Sequence, residues 1–221
     1  MATVLPGYVW LKDLNRYRDT TSGQFVSSRT ITDILRTQTS ETQSRLNDIA
    51  TSYHEGRISP SSFVEQLRVE VRRNAIQNVA LAKGGFNSLT QSDYGRIGQT
   101  LRTQYAQISG TAQDVIDGKV SIAQLQNRIN GYAGEGKRLY YVTQKDNMRP
   151  SSFDNVIIAR RQLGDAMHCA DCPAYAERGW VLLSEIIPPG VACQCQNHCM
   201  CGMLTREIPR ADLAEWLGTK R

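Results

Sequence analysis

Residues Tyr94 to Val115 read YGRIGQTLRTQYAQISGTAQDV, with Tyr94, Ile97, Leu101, Tyr105, Ile108, Ala112 and Val115 recurring every three or four positions. That period lines the large apolar side chains along one face of an α-helix. About six turns of amphipathic helix cannot hide that face alone, so matching stripes must exist elsewhere in the chain.

They do, on both sides. Ile31, Ile34 or Leu35, Gln38, Thr42, Leu46, Ile49 and Tyr53 predict a helix from about Arg29 to Glu55, stopped at Gly56. Ser59-Pro60 supplies an N-cap and a first-turn proline. A second stripe follows through Phe63, Leu67, Val71, Ala75, Val79 and Ala82, ended by Gly84-Gly85. Ile122, Leu125, Ile129, Tyr132, Gly136 and Leu139 make another, weakened by Gly131, Gly134 and Gly136. A fifth helix is expected over Phe153 to Met167, leading into a run of cysteines. Gly56-Arg57-Ile58-Ser59 is echoed by Gly118-Lys119-Val120-Ser121, and Ser121 with Gln124 fits a capping box. The echo suggests two similar helical hairpins; chance recurrence of glycine stops and serine caps is the alternative.

Before these helices, Tyr8, Trp10 and Leu14 show no sustained period, and Arg16 to Val26 reads as an extended arm turning at Ser22-Gly23. Such an arm suits docking on a neighbouring subunit; a short hairpin over the body's own core is the alternative. Past the cysteines begin, Trp180 to Leu183 predicts a short strand, Pro188-Pro189-Gly190 a turn, and Arg210 to Leu217 a terminal helix. The expected fold class is mainly α. An extended docking arm (1–28) and a helical-hairpin body (29–165) precede a small cysteine-rich, zinc-binding module (166–221).

All six cysteines fall between positions 169 and 201. Two residues between Cys169 and Cys172 let both thiolates reach one ion from a tight turn, and a second cluster follows. Cys195 with Cys199 is the first choice for the second pair, with Cys201 its first replacement; His168 and His198 can each stand in for a thiol. The candidate ligands are therefore Cys169, Cys172, Cys195, Cys199 and Cys201. Structural zinc ranks first, because all-thiolate coordination leaves no position open for water. Disulfides rank second. An iron–sulfur cluster ranks third, since closely repeated CxxC units are absent. A thioredoxin-like CxxC would open a helix after a strand in a βαβ unit, and the segment before Cys169 reads as a helix.

Lys and Arg total 26 against 21 Asp and Glu, a net charge of +5, which tolerates an anionic partner without naming one. The longest apolar runs, such as Val156 to Ala159, are four residues, far below the roughly 20 that span a bilayer. No membrane partner is expected, and Met1 to Pro6 carries no signal-peptide pattern. Residence inside a cell, where reduced thiols favour metal ligation, follows as the expectation. The motifs GxxxxGKS, HExxH, GxSxG and a dinucleotide-binding glycine fingerprint are missing, so no enzyme is expected. Arg68, Arg72 and Arg73, and Arg160-Arg161, form basic pairs or patches; solvated helix faces explain most such clusters, and no aromatic interleaving suggests base stacking.

The opening Arg16-Tyr17-Arg18-Asp19 with Ser22-Gly23-Gln24-Phe25-Val26 resembles the RYRD…GRFV start of phage and prophage minor head proteins. Gly84-Gly85 and Asp93-Tyr94-Gly95-Arg96-Ile97-Gly98 resemble their middle region. His168 to Cys172, Trp180, Pro188 to Gly190 and Cys195 to Cys201 resemble their close, and that of head morphogenesis proteins related to protein F of phage Mu. Two departures stand out: Met200 replaces the usual arginine, and Cys193 is an additional thiol expected to be dispensable. The resemblance implies a non-enzymatic minor head or neck component, oligomeric within the virion and in the host cytoplasm during assembly. Its implied partners are the portal, major capsid or neck proteins, with packaged DNA a further candidate. A zinc-stabilised nucleic-acid-binding or regulatory module is the competing expectation.

Overall fold

Four hydroxyl side chains start four long helices. Ser27 Oγ accepts from the Thr30 amide at 3.1 Å and Ser59 Oγ from Ser62 at 3.2 Å. Thr90 Oγ1 accepts from Asp93 at 3.3 Å, and Ser121 Oγ from Gln124 at 3.3 Å. Each cap satisfies an amide that the first turn leaves unpartnered, worth about 1 kcal/mol. In the computed structural model, which describes residues 5–14, 16–164 and 167–219, these caps open α1 (Ser28–His54), α2 (Pro60–Lys83), α3 (Gln91–Ile116) and α4 (Ile122–Asn147). Gly56 (φ +71°), Gly84 (φ +85°) and Gly118 (φ +67°) lie just past the ends of α1, α2 and α3 in the left-handed region, where a Cβ is strained. α4 stops at Met148, shortly before Pro150. The two echoed Gly-x-x-Ser segments thus play the same part, and Ser121 and Gln124 form the expected capping box.

The predicted stripes meet. Leu46, Phe63, Leu67, Val71, Leu101, Ile108, Leu125 and Ile129 share one buried core, with Tyr105 packed at its edge. Tyr94 departs from its stripe and is exposed. Polar side chains enter the interior too: Asn74 donates through Nδ2 to the Ala133 carbonyl at 2.9 Å, and Gly136 admits that side chain, since a Cβ there would collide with it.

The chain is mainly helical, as expected, but the fifth helix is a correction. Asn155–Gln162 forms strand β3, and residues 165–166 of the expected helix lie outside the described residues. Val156, Ile157 and Ile158 are β-branched, and so short an apolar run carries no decisive period. What decides is a partner distant in sequence. β3 pairs antiparallel with β5 (Gly202–Pro209), in register from Asn155 opposite Pro209 to Gln162 opposite Gly202. It also pairs antiparallel with β4 (Val181–Leu182), at the expected short strand. Between β3 and β4 lies α5 (Asp171–Glu177), and after β5 comes α6 (Leu213–Trp216), within the expected terminal helix.

Alternation along β3 sends Val156 and Ile158 to one face, where Trp180 and Ile208 are buried with Trp216 packed alongside. Ala159 turns to the other face, joining Leu35, Leu81, Tyr140, Tyr141 and Met203 in a second core between sheet and helices. Strand pairing therefore crosses the boundary expected at 165/166.

The arm takes the alternative form, a short hairpin over the body's own core. Tyr8–Leu11 (β1) and Arg16–Asp19 (β2) form an antiparallel hairpin, and Asp19 Oδ1 accepts from the Thr21 and Ser22 amides at 2.8 and 2.7 Å at the following turn. The hairpin sits on the chain's own body: Tyr17 is buried and its hydroxyl donates to the Leu81 carbonyl at 2.9 Å. Val9, Leu14 and Phe25 stay exposed. Residues 1–4 and 15 of the arm, and 220–221 of the C-terminal module, lie outside the described residues. No helix among the described residues is long and apolar enough to cross a membrane.

Candidate metal centre

The CxxC turn is closed by the Cys172 amide donating to the Cys169 carbonyl at 3.2 Å, which sets the two Sγ atoms 3.6 Å apart at the start of α5. The second cluster is wound just as tightly. Gln196 donates to the Cys193 carbonyl and His198 to the Cys195 carbonyl, both at 2.8 Å. These turns keep Cys193 and Cys195 on one side, their sulphurs 3.5 Å apart, where an extended strand would have split them. Two contacts join the clusters: Asp171 Oδ2 accepts from the Gln194 amide at 2.8 Å, and the Tyr175 hydroxyl donates to the Ala192 carbonyl at 2.6 Å.

The six thiols converge. Cys195 Sγ lies 3.4 Å from both Cys169 and Cys172, and Cys172 Sγ lies 3.8 Å from Cys199. An ion bound tetrahedrally by sulphur at about 2.3 Å has donor–donor edges of about 3.8 Å, so the spacing suits such an ion. It is far from the roughly 2.05 Å of a disulfide, and all six cysteines are free thiols. Cys169, Cys172, Cys193 and Cys195 form one group able to hold a metal, and His168, Cys172 and Cys201 a second.

Of the predicted ligands, Cys169, Cys172 and Cys195 fall in the first group, Cys201 in the second beside Cys172, and Cys199 adjoins Cys172. Cys193, expected to be dispensable, sits inside the four-thiol group. Of the two histidines, His198 lies against Gly131 of α4 and outside both groups. His168 is aimed inward: its Nε2 lies 2.9 Å from the Gly164 carbonyl and its Nδ1 3.8 Å from Cys201 Sγ. A carbonyl only accepts, so Nε2 carries a hydrogen, and Nδ1 is the ring nitrogen turned toward the thiols.

The surroundings are cationic. Arg161, on the inward face of β3, places Nη1 3.7 Å from Cys172 Sγ and is held by Nη2 to the Ile187 carbonyl at 3.2 Å. Its Cζ stacks 4.9 Å from the Tyr175 ring. Lys137 of α4 donates to the Cys199 carbonyl at 2.9 Å. Both cations are buried, an arrangement that is costly without negative charge nearby. The thiols supply it. The Cys201 S–H, then its amide and the Arg161 guanidinium, draw Cys199 down to about 4 against the effect of burial. Desolvation of Cys169 is outweighed by hydrogen bonds from Cys195 and Cys172, which bring it to about 6. Burial pushes Cys172 up to about 12 and raises Cys195 as well. Burial of Lys137 lowers its pKa, an effect opposed by the Cys199 and Cys201 charges. Thiolates and buried cations are mutually stabilising here.

The three glycines that weaken the α4 stripe find their use at this centre and beside it. A Cβ at Gly134 would run into the Asn197 carbonyl, and one at Gly131 into the Asn197 and His198 side chains. Glycine at these positions lets the turn Gln196–His198 lie on the helix backbone. The signal for this was visible as a penalty to helix propensity, without its cause. Arg161 has no legible role on a helix; only on the strand Asn155–Gln162 does it face the thiols. That strand also precedes the CxxC helix, so the local order is the one a thioredoxin-like site would have; antiparallel pairing on both sides of β3, with no βαβ crossover, is what separates the two. Compared with family models, curated proteins and solved structures, the chain matches none of them.

Proposed function

We propose that this chain is a non-enzymatic structural protein whose cysteine cluster binds zinc, clamping the C-terminal sheet to the helical body. The observation carrying this reading is the convergence of five thiols at 3.4–3.8 Å, with Cys201 grouped beside Cys172 and His168, next to buried Arg161 and Lys137. Sulphur-rich tetrahedral donors favour zinc over hard, oxygen-seeking cations. A site so fully supplied with thiolates has no place for a reacting water. The cavity of about 540 Å³ between α3, α4 and the metal loop is lined by neither histidine nor cysteine, and its Glu135 is paired with Arg138. Elemental analysis of protein purified without added metal should find bound zinc; a metal-free, disulfide-paired chain would remove the reading.

The setting we propose is a minor head or head-to-tail neck component of a tailed-phage particle, by its resemblance to those proteins. Exposed Val9, Leu14 and Phe25 on the seated hairpin leave it an apolar edge for a portal, capsid or neck neighbour. Deleting the reading frame from the phage or prophage that carries it should yield heads that fail to mature or join tails, with the protein present in wild-type particles. Full-titre particles without it would refute the virion role. The competing nucleic-acid reading is weakened by Arg68 and Arg73, which are engaged with Ser109 at 3.0 Å and Glu70 at 2.9 Å. Strongly salt-dependent DNA binding by the isolated chain would restore it.

A further inference from the structure

One tetrahedral ion uses four donors, yet this cluster converges seven: the six cysteine sulphurs and His168. Two tetrahedra that share one vertex need seven. We propose that the cluster holds two zinc ions joined through the Cys172 sulphur, with Cys169, Cys193 and Cys195 completing one tetrahedron and His168, Cys199 and Cys201 the other. The proposal rests on the zinc reading above and deepens it.

Cys172 is placed for sharing. Its sulphur is fully buried at the middle of the cluster, 3.6 Å from Cys169 and 3.4 Å from Cys195 on one side and 3.8 Å from Cys199 on the other. It also belongs to both donor groups, with three thiols in one and with His168 and Cys201 in the other. A single ion in the four-thiol group would leave Cys199, Cys201 and an oriented imidazole unused. The Gly164 carbonyl fixes the His168 ring through Nε2, the outer-sphere hydrogen bond that metal-binding histidines commonly make. Gly164 has no room for a side chain against the Met200 carbonyl, so the backbone holding His168 is itself packed onto the Cys199–Cys201 loop. Charge closes as well. Two divalent ions and six thiolates carry a net charge of −2, facing two buried cations, Arg161 and Lys137. Binding moves no electrons; each thiol still protonated releases its proton to solvent as its sulphur becomes a ligand.

The test is metal stoichiometry on the full chain, purified without chelator and quantified by amino-acid analysis, followed by cadmium-113 exchange and NMR. Two zinc ions per chain are expected, and two cadmium resonances coupled to each other through the shared sulphur. His168→Ala should fall to one ion per chain while the far-ultraviolet circular dichroism of the helices persists. One ion in the wild-type chain, uncoupled resonances, or two ions retained by His168→Ala would each overturn the shared cluster and leave the zinc reading standing. No zinc at all would overturn both.

Discussion

Gly134 of α4 lies directly against the carbonyl of Asn197, with no space between them for a methyl group. Alanine in a helix interior ordinarily stabilises by about 1 kcal/mol relative to glycine. At this position the sign should reverse, because the backbone of the metal loop would have to lift. Gly134→Ala is expected to destabilise the protein by about 1–3 kcal/mol, read as a lower midpoint in denaturant. Gly110→Ala on α3, where an added Cβ meets nothing, should stabilise it by about 0.5–1 kcal/mol. Equal shifts in the two variants would show that the loop does not rest on α4.

The helical core offers a simpler test. Leu46 is fully buried among residues of α2, α3 and α4. Leu46→Ala should cost about 2–5 kcal/mol through the cavity it leaves, measured by chemical denaturation. A change within experimental error would place that face of α1 in solvent.

Tyr17 tests how the hairpin is seated. Tyr17→Phe keeps the ring and leaves the buried Leu81 carbonyl without the hydroxyl it accepts from, a loss of about 0.5–1.5 kcal/mol. Amides of Arg16–Asp19 should then exchange with deuterium faster, while those in the middle of α3 keep their protection. Unchanged exchange in the hairpin would mean that other contacts hold it.

Acid should act on the start of α3. Burial raises the Asp93 carboxyl, but hydrogen bonds from Thr90 and the charge of Lys83, 3.4 Å away, outweigh it and hold the group below its ordinary value. A group depressed in this way stabilises the fold above the unfolded pKa of about 3.9 and loses that contribution as pH falls through the folded value. Asp93→Asn should therefore cost about 1 kcal/mol at neutral pH, with the gap to wild type closing as pH falls below the unfolded value of about 3.9. A gap of constant size across that range would show that the charge contributes nothing.

The helices were legible because their signals are local. Periodicity named the buried faces, and Ser27, Ser59, Thr90 and Ser121 each cap within three residues of themselves. β3 was not, because its identity depends on β5, which begins 40 positions after β3 ends. A run such as Val156 to Ala159 fits either structure until a partner is known. The same gap hid Arg161, which faces the thiols only on a strand. At the centre itself, CxxC spacing pointed to Cys169 and Cys172, whose sulphurs lie 3.6 Å apart, whereas the place of Cys193 beside them depends on the turns closed by the Gln196 and His198 amides. Its own C-x-C pairing with Cys195 was the available clue.

The second core has a consequence for how the chain is made. The first core draws on residues from Leu46 to Leu139, so it can close while the ribosome is still adding the last third of the protein. The second joins Leu35 to Met203, a contact whose loop-closure entropy is large and whose formation is correspondingly late. Until β5 emerges, β3 has an unpaired edge and Tyr140 and Tyr141 lie open, the kind of surface that captures other chains. Metal capture by the thiols just upstream of β5 would shorten that interval, so that metal supply during synthesis would bear on yield.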